Sequence, residues 1–221
     1  MRRIASVFVA LMLAVTAGTA AARGHHHRDE EPEAEGTSGS FDYYVLSLSW
    51  APTFCATHRD SSEECASPHG FVLHGLWPQY AAGGYPQTCS GRLLMPQEQQ
   101  AAAGVYPSAS LAAHEWARHG TCSGLDPLAY FRAAAAARDS VRIPPALQPG
   151  QRTVTVRAGD IVSAVRGANP ALPSRAIVVN CSHRELTELR VCVDKDLHPQ
   201  ACGPDVRPSC GSGPITVPGV H

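Results

Sequence analysis

Hydrophobic and polar positions divide the chain into segments of different period. Residues 41–50 (FDYYVLSLSW) are rich in β-forming side chains and alternate in their second half, which predicts a strand. Residues 70–74 (GFVLH) predict a second short apolar strand, and both read as central. From Ser110 to His119 the pattern is helical. Asp126 is placed to cap a helix that opens on Pro127 and runs through LAYFRAAAAARDSV. A third helix is expected to start at Asp160. Further strands are expected at 153–156, 176–180 and 188–193, interleaved with helices but not in strict βαβ alternation. The class implied is α+β, a central antiparallel sheet flanked by helices. Residues 199–220 are proline-rich and read as a loop-like tail tied down by Cys202 and Cys210; no internal repeat is visible.

The first 22 residues have a different logic. Arg2 and Arg3 precede an apolar run over residues 4–15 and a small-residue stretch over 17–22, which is the layout of a secretory signal peptide. The apolar run is shorter than the ~20 residues needed to span a bilayer, and no second one follows. Residues 23–40 (RGHHHRDEEPEAEGTSGS) lack apolar periodicity and are expected to be a disordered spacer, with order beginning near Phe41. Residues 41–221 are expected to form one domain, secreted or periplasmic, free of the membrane once the signal is removed and monomeric.

Composition narrows the function. Eight cysteines (Cys55, Cys65, Cys89, Cys122, Cys181, Cys192, Cys202, Cys210) in an exported chain imply four disulfides. No CxxC pair occurs, which removes the common zinc-cluster and thioredoxin-like readings. Order alone leaves all 105 pairings open. Removing Arg2 and Arg3 leaves 16 basic and 19 acidic residues, a net of −3. A protein that coats nucleic acid electrostatically is basic, so any RNA contact here is local, and charge favours catalysis over scaffolding.

Two segments concentrate reactive side chains: residues 74–80 (HGLWPQY) and 114–122 (HEWARHGTC). The second invites comparison with the HExxH zinc motif, but His114 and His119 are five apart. At ~100° per residue they lie about 140° from each other around a helix and cannot share a metal in that way. Glu115 and His119, four apart, share a face, as do His114 and Arg118. A carboxylate beside His119 would orient the ring and favour its charged form, making it a natural general base. His114 and Arg118 offer donors to an anion, and a phosphate site is the economical explanation. Gly75 permits a tight backbone approach after His74, while Trp77-Pro78 sets an indole at a turn. That indole is either a stacking platform for a base or a core aromatic.

At these residues the sequence resembles the ribonuclease T2 family: FVLHGLWPQY and HEWARHGTC are similar to its two active-site segments, in the usual order. FDYYVLSLSWAPTFC and LTELRVCVDKDL resemble its first strand and late strand pair, so the similarity runs from about Phe41 to Cys210. The resemblance implies endonucleolytic cleavage of single-stranded RNA through a 2′,3′-cyclic phosphate, with no metal or other cofactor and no action on DNA. His119 then corresponds to the base that takes the 2′-hydroxyl proton and His74 to the acid that protonates the departing 5′-oxygen. Glu115 and His114 correspond to residues that stabilise or bind the phosphate. Arg118 stands where the family usually has lysine and keeps the charge with a different donor geometry. Trp77, Gln79 and Tyr85 resemble a base-binding site, with glutamine at a position where aspartate can stand, so base preference is open. Chain order and the family pattern suggest the pairs Cys55–Cys65, Cys89–Cys122, Cys181–Cys210 and Cys192–Cys202. Two other classes compete. One is a secreted homologue that kept the fold and lost activity, against which intact His74, Glu115 and His119 argue. The other is a metal-binding protein using His25, His26 and His27, which lacks converging ligands elsewhere.

Overall fold

The computed structural model describes residues 35–58, 62–67 and 69–220. The leader, most of the spacer and the histidine triplet lie outside the described residues. In chain order the elements are β1 (Tyr43–Trp50), α1 (Ala51–Thr57), α2 (Ser62–Cys65), β2 (Phe71–Gln79), α3 (Pro96–Ala102), α4 (Ala109–Arg118), α5 (Pro127–Ser140), β3 (Val154–Arg157), α6 (Ala158–Ala168), β4 (Ile177–Ser182), β5 (Glu185–Val193) and β6 (Pro214–Val217). The fold is α+β. Strands β2, β1, β5 and β4 pair antiparallel in that order, and the antiparallel β6–β3 pair joins through a single parallel bridge between Glu185 and Thr216.

β1 is buried along nearly its whole length because both faces are covered. Tyr44, Leu46 and Leu48 share one core with Ala112 and Trp116 of α4, Tyr130, Phe131 and Ala134 of α5, and Ile161 and Val165 of α6. Burying each such large side chain is worth about 1.5–3 kcal/mol. On the other face Tyr43 and Val45 pack with Cys192, Trp77, Cys202 and Val206. α5 starts as expected, with Pro127 in its first turn and the Asp126 carboxylate accepting from Ala129 N–H at 2.8 Å. The four disulfides are those that the family pattern suggests: Cys55–Cys65, Cys89–Cys122, Cys181–Cys210 and Cys192–Cys202.

The structure departs from the sequence expectations in identifiable places. The second strand does not stop at His74 but continues to Gln79, and Trp77-Pro78 is strand, not turn. Proline is tolerated there because β2 is an edge, paired to β1 alone. Within the expected loop-like tail, residues 214–217 form β6. α1 and α3 are seven residues each, too short to show a period, and were not foreseen. Pairing starts at Glu35, six residues before Phe41. Glu35 bridges to Gln87, Ser38 Oγ donates to Thr121 O at 2.7 Å, and Gly39 N–H donates to Cys122 O at 2.9 Å.

Candidate active site

Two β-bulges set up the site. In the β1–β2 ladder Ser47 faces Gly75 and Leu48 faces Leu73, which leaves His74 as the extra residue. A bulge reverses the parity of side chains beyond it. His74 and Trp77, three apart, would point to opposite faces of a regular strand; with the bulge both serve the face that carries Val45, while Leu73 and Leu76 stay in the core. β5 has the same device: Leu186 faces Cys181 and Glu188 faces Asn180, so Thr187 is extra. Leu186 and Leu189 are both fully buried, and Glu188 and Arg190 lie on the His74 side.

His74 Nδ1 lies 2.8 Å from Glu188 Oε1, and Arg190 donates from Nε and Nη2 to Glu188 Oε2 at 2.8 and 2.6 Å. The Arg190 guanidinium also lies over the Trp77 ring, 5.1 Å from its centroid. On the other side of His74, Nε2 is 3.6 Å from Glu115 Oε1, and Trp77 Nε1–H donates to Glu115 Oε2 at 2.7 Å. Gly75 is a steric requirement of this arrangement. A Cβ there would overlap both Glu115 Oε2 and Trp77 Nε1.

α4 delivers Glu115 and then ends. Ser108 Oγ caps its start, and Trp116 anchors its middle by donating Nε1–H to Arg92 O at 2.8 Å. His119 caps the helix, its N–H still bonded to Glu115 O (φ −118°, ψ −45°), and leads into a 3-10 turn over Gly120–Cys122. Gly120 lets that turn close against Trp116 and Tyr130, which leave no room for a Cβ. The Cys89–Cys122 bridge and hydrogen bonds from Thr88 N to Arg118 O (2.8 Å) and Cys89 N to Thr121 Oγ1 (3.1 Å) hold the turn.

This corrects one sequence expectation: Glu115 is beside His74 and Trp77, not beside His119. Although the His119 N–H still bonds to Glu115 O, the Glu115 carboxyl is engaged by the Trp77 N–H and His74 from β2. His119 is buried, and its Nδ1 has no hydrogen-bond partner among the described residues. Burial, with the charges of Arg118, His114 and His74, drives its imidazole down to about 3. Burial also acts against the His74 imidazolium, but its hydrogen bond to Glu188 and the charges of Glu115 and Glu188 prevail and raise it above the ordinary value. Burial likewise raises Glu115 to about 7 despite His74 and the Trp77 N–H, whereas His74 and Arg190 overcome the burial of Glu188 and hold it down at about 2. The two histidines therefore differ in the direction that separates a base from an acid.

Trp77 stands between them, its ring centroid 5.0 Å from that of His74 and 5.4 Å from that of His119, and Tyr85 lies 6.0 Å from His119. A cavity of about 310 Å³ opens beside His119, lined among others by Trp77, Gln79, Tyr85, Arg190 and Asp205. A smaller recess of about 120 Å³ adjoins His74, lined by apolar side chains including Phe54, Val72, Pro107 and Leu111. Tyr85 is exposed, and Trp77 is partly buried with one face in the cavity. Gln79 is buried, its amide donating to Pro78 O. His114 is exposed and Arg118 half-buried. Glu188, Arg190 and Asp205 were not singled out in the sequence. The signal for the first two was there, a charged pair at period two in an otherwise apolar strand, LTELRVCV.

Among known proteins, the model of the Ribonuclease T2 family matches residues 41–202. A ribonuclease of Aeromonas hydrophila is 35% identical over 199 residues, covering 81% of this chain and 86% of that protein. An RNase-related protein from Calystegia sepium superposes with a TM-score of 0.65 at 23% identity, over 80% of this chain and 96% of its own. A variant of ribonuclease MC1 solved in complex with 5′-UMP superposes with a TM-score of 0.63 at 23% identity, over 78% and 96%. The last two share the fold.

Proposed function

The chain belongs to the ribonuclease T2 family and is an endoribonuclease, and from that premise we propose that it cuts single-stranded RNA by proton transfer between His119 and His74, without a metal. The observation that carries this reading is the placement of two imidazoles beside one indole, their ring centroids 5.0 and 5.4 Å from it, with a carboxylate at His74 Nδ1; their opposite protonation tendencies agree with it. His119, neutral at working pH, takes the proton of the 2′-hydroxyl as that oxygen attacks phosphorus. His74, protonated, gives its Nε2 proton to the departing 5′-oxygen, leaving a 2′,3′-cyclic phosphate. Water then opens the ring to a 3′-phosphate with the two roles exchanged.

The cavities fit the same direction of cleavage. The nucleoside carrying the attacking 2′-oxygen lies on the His119 side, where Trp77 and Tyr85 offer flat faces to its base. The leaving nucleoside lies on the His74 side, against the apolar recess. Glu115 packs beside His74 and fixes the edge of Trp77. His114 and Arg118 bring positive charge to the phosphate beside His119. The four disulfides suit an oxidising compartment, and among the described residues no helix is long and apolar enough to cross a membrane. With the leader, the disulfides support a secreted or periplasmic location.

The test is cleavage of RNA and DNA by purified protein in excess EDTA, with the products' ends identified. RNA alone should be cut, through a 2′,3′-cyclic phosphate, and His74→Ala and His119→Ala should each lower the rate about 10²–10⁴-fold. The rate should plateau on the acidic side of neutrality, with its acid limb below and its alkaline limb above the ordinary imidazole pKa of about 6.5. Loss of activity in EDTA, cleavage of DNA at a comparable rate, or 5′-phosphate ends would refute the mechanism.

A further inference from the structure

β5 contributes a pair of side chains that the mechanism above uses only through their effect on the charge of His74. Glu188 and Arg190 sit at alternate positions of a strand whose Leu186, Leu189, Val191 and Val193 are in the core, on the face that carries the bulged His74. Glu188 is largely buried, its side chain 12% exposed, and both its oxygens are used: Oε1 meets His74 Nδ1, and Oε2 takes two donors from Arg190. Arg190 in turn lies over Trp77 and lines the larger cavity. A strand would not bury two charged groups there without compensation.

We propose that Glu188 is the positioning residue of the general acid: held by Arg190, it accepts the Nδ1 hydrogen of His74 and so fixes the ring with Nε2 toward the reacting phosphate. The inference rests on His74 being the acid. A carboxylate accepting at one ring nitrogen sets the orientation of the other and favours the doubly protonated ring. Arg190 fixes the carboxylate rotamer, so the geometry exists before substrate arrives.

The consequence of Glu188→Gln follows from the donor inventory. Arg190 offers two N–H groups and takes the amide oxygen, which turns the amide NH₂ toward His74 Nδ1. Two donors then face each other when the ring is protonated, and the imidazolium is disfavoured. The groups facing His74 are Glu188 and Arg190 from β5, Glu115 from α4 and His119 at the end of that helix. Removing the Glu188 charge leaves Glu115 as the one carboxylate among them, so the alkaline limb of the rate profile moves to lower pH.

The experiment uses the full-length mature enzyme and two substrates: a dinucleoside monophosphate, whose 5′-alkoxide needs a proton to leave, and a nucleoside 3′-(4-nitrophenyl phosphate), whose phenolate leaves without one. Glu188→Gln should lower kcat on the dinucleotide by about 10–100-fold, the range for groups that orient a reacting ligand from behind it. KM should stay within about twofold, and turnover of the aryl ester should fall by less than about threefold. Glu188→Asp should recover part of kcat and return the alkaline limb toward wild type. Turnover of the aryl ester also shows that the variant is folded, and if Glu188→Gln does not fold, Glu188→Asp measured on both substrates decides the matter. Equal loss on both substrates, or no loss on either, overturns the proposal. His74→Ala is the separating control: if it loses the aryl ester as severely as the dinucleotide, the acid assignment itself fails.

Discussion

Replacing Gly75 by alanine tests the physical basis of the site at its tightest point. A Cβ at residue 75 would overlap the two atoms of one hydrogen bond, Trp77 Nε1 and Glu115 Oε2. Neither side chain can yield cheaply. Glu115 is 1% exposed on a helix whose next residue, Trp116, is anchored in the core, and Trp77 lies in a strand beneath the Arg190 guanidinium. Overpacking of this kind costs about 1–3 kcal/mol. The lost hydrogen bond to a buried carboxylate costs about 1.5–3 kcal/mol. Together they predict a loss of about 2.5–6 kcal/mol, or roughly 5–24 °C in Tm for a chain of this size. Displacing Trp77 and Glu115 by an ångström should lower kcat/KM on a dinucleotide by about 100-fold. Thermal unfolding and steady-state kinetics at a temperature well below the variant's Tm measure the two effects separately. Gly159→Ala is the control: it makes the same change in α6, where a Cβ meets nothing within 4 Å, and should be neutral or stabilising by up to about 1 kcal/mol. A Gly75→Ala enzyme with wild-type Tm and activity would refute the packing argument.

Other outcomes follow from the same geometry. Tyr85→Ala should weaken kcat/KM by about 5–150-fold, the equivalent of ~1–3 kcal/mol of base stacking, with kcat nearly unchanged; identical kcat/KM on every dinucleotide would remove Tyr85 from the base site. Glu115 is raised from 4.5 to about 7, so the folded state holds its proton more tightly than the unfolded chain and wild type loses stability as pH rises from about 4.5 through 7. Glu115→Gln should escape that loss, gaining about 3 kcal/mol relative to wild type between pH 4.5 and pH 8 in denaturant titrations; parallel curves would show that burial does not raise the carboxyl. Cys89→Ala with Cys122→Ala opens a loop closed over a separation of 33 residues, worth about 3.8 kcal/mol in loop entropy. Activity at a temperature where the variant remains folded should also fall, because the bridge holds the turn that follows His119.

The sequence by itself determined the family and most of the elements. Helical periodicity located α4, a proline behind an aspartate located the start of α5, and alternation located β1, because each of these signals is local and lies within one regular element. The segments HGLWPQY and HEWARHGTC carry the residues proposed to react, and the family pattern suggested the four disulfides. What only the tertiary structure decided is how those residues meet. The second strand was expected to end at His74 because the apolar run stops there and Trp77-Pro78 reads as a turn; a bulge at His74 instead carries the strand on and brings His74 and Trp77 to one face. Glu115 was expected beside His119 because four-residue spacing implies a shared helical face. Packing of α4 against β2 gives the carboxyl the Trp77 N–H and His74 as partners instead. Glu188, 114 residues from His74, reaches it through strand pairing across β1. Local periodicity reports what each segment can become; register, bulges and helix ends are set by packing between segments, and they decide which side chain stands beside which.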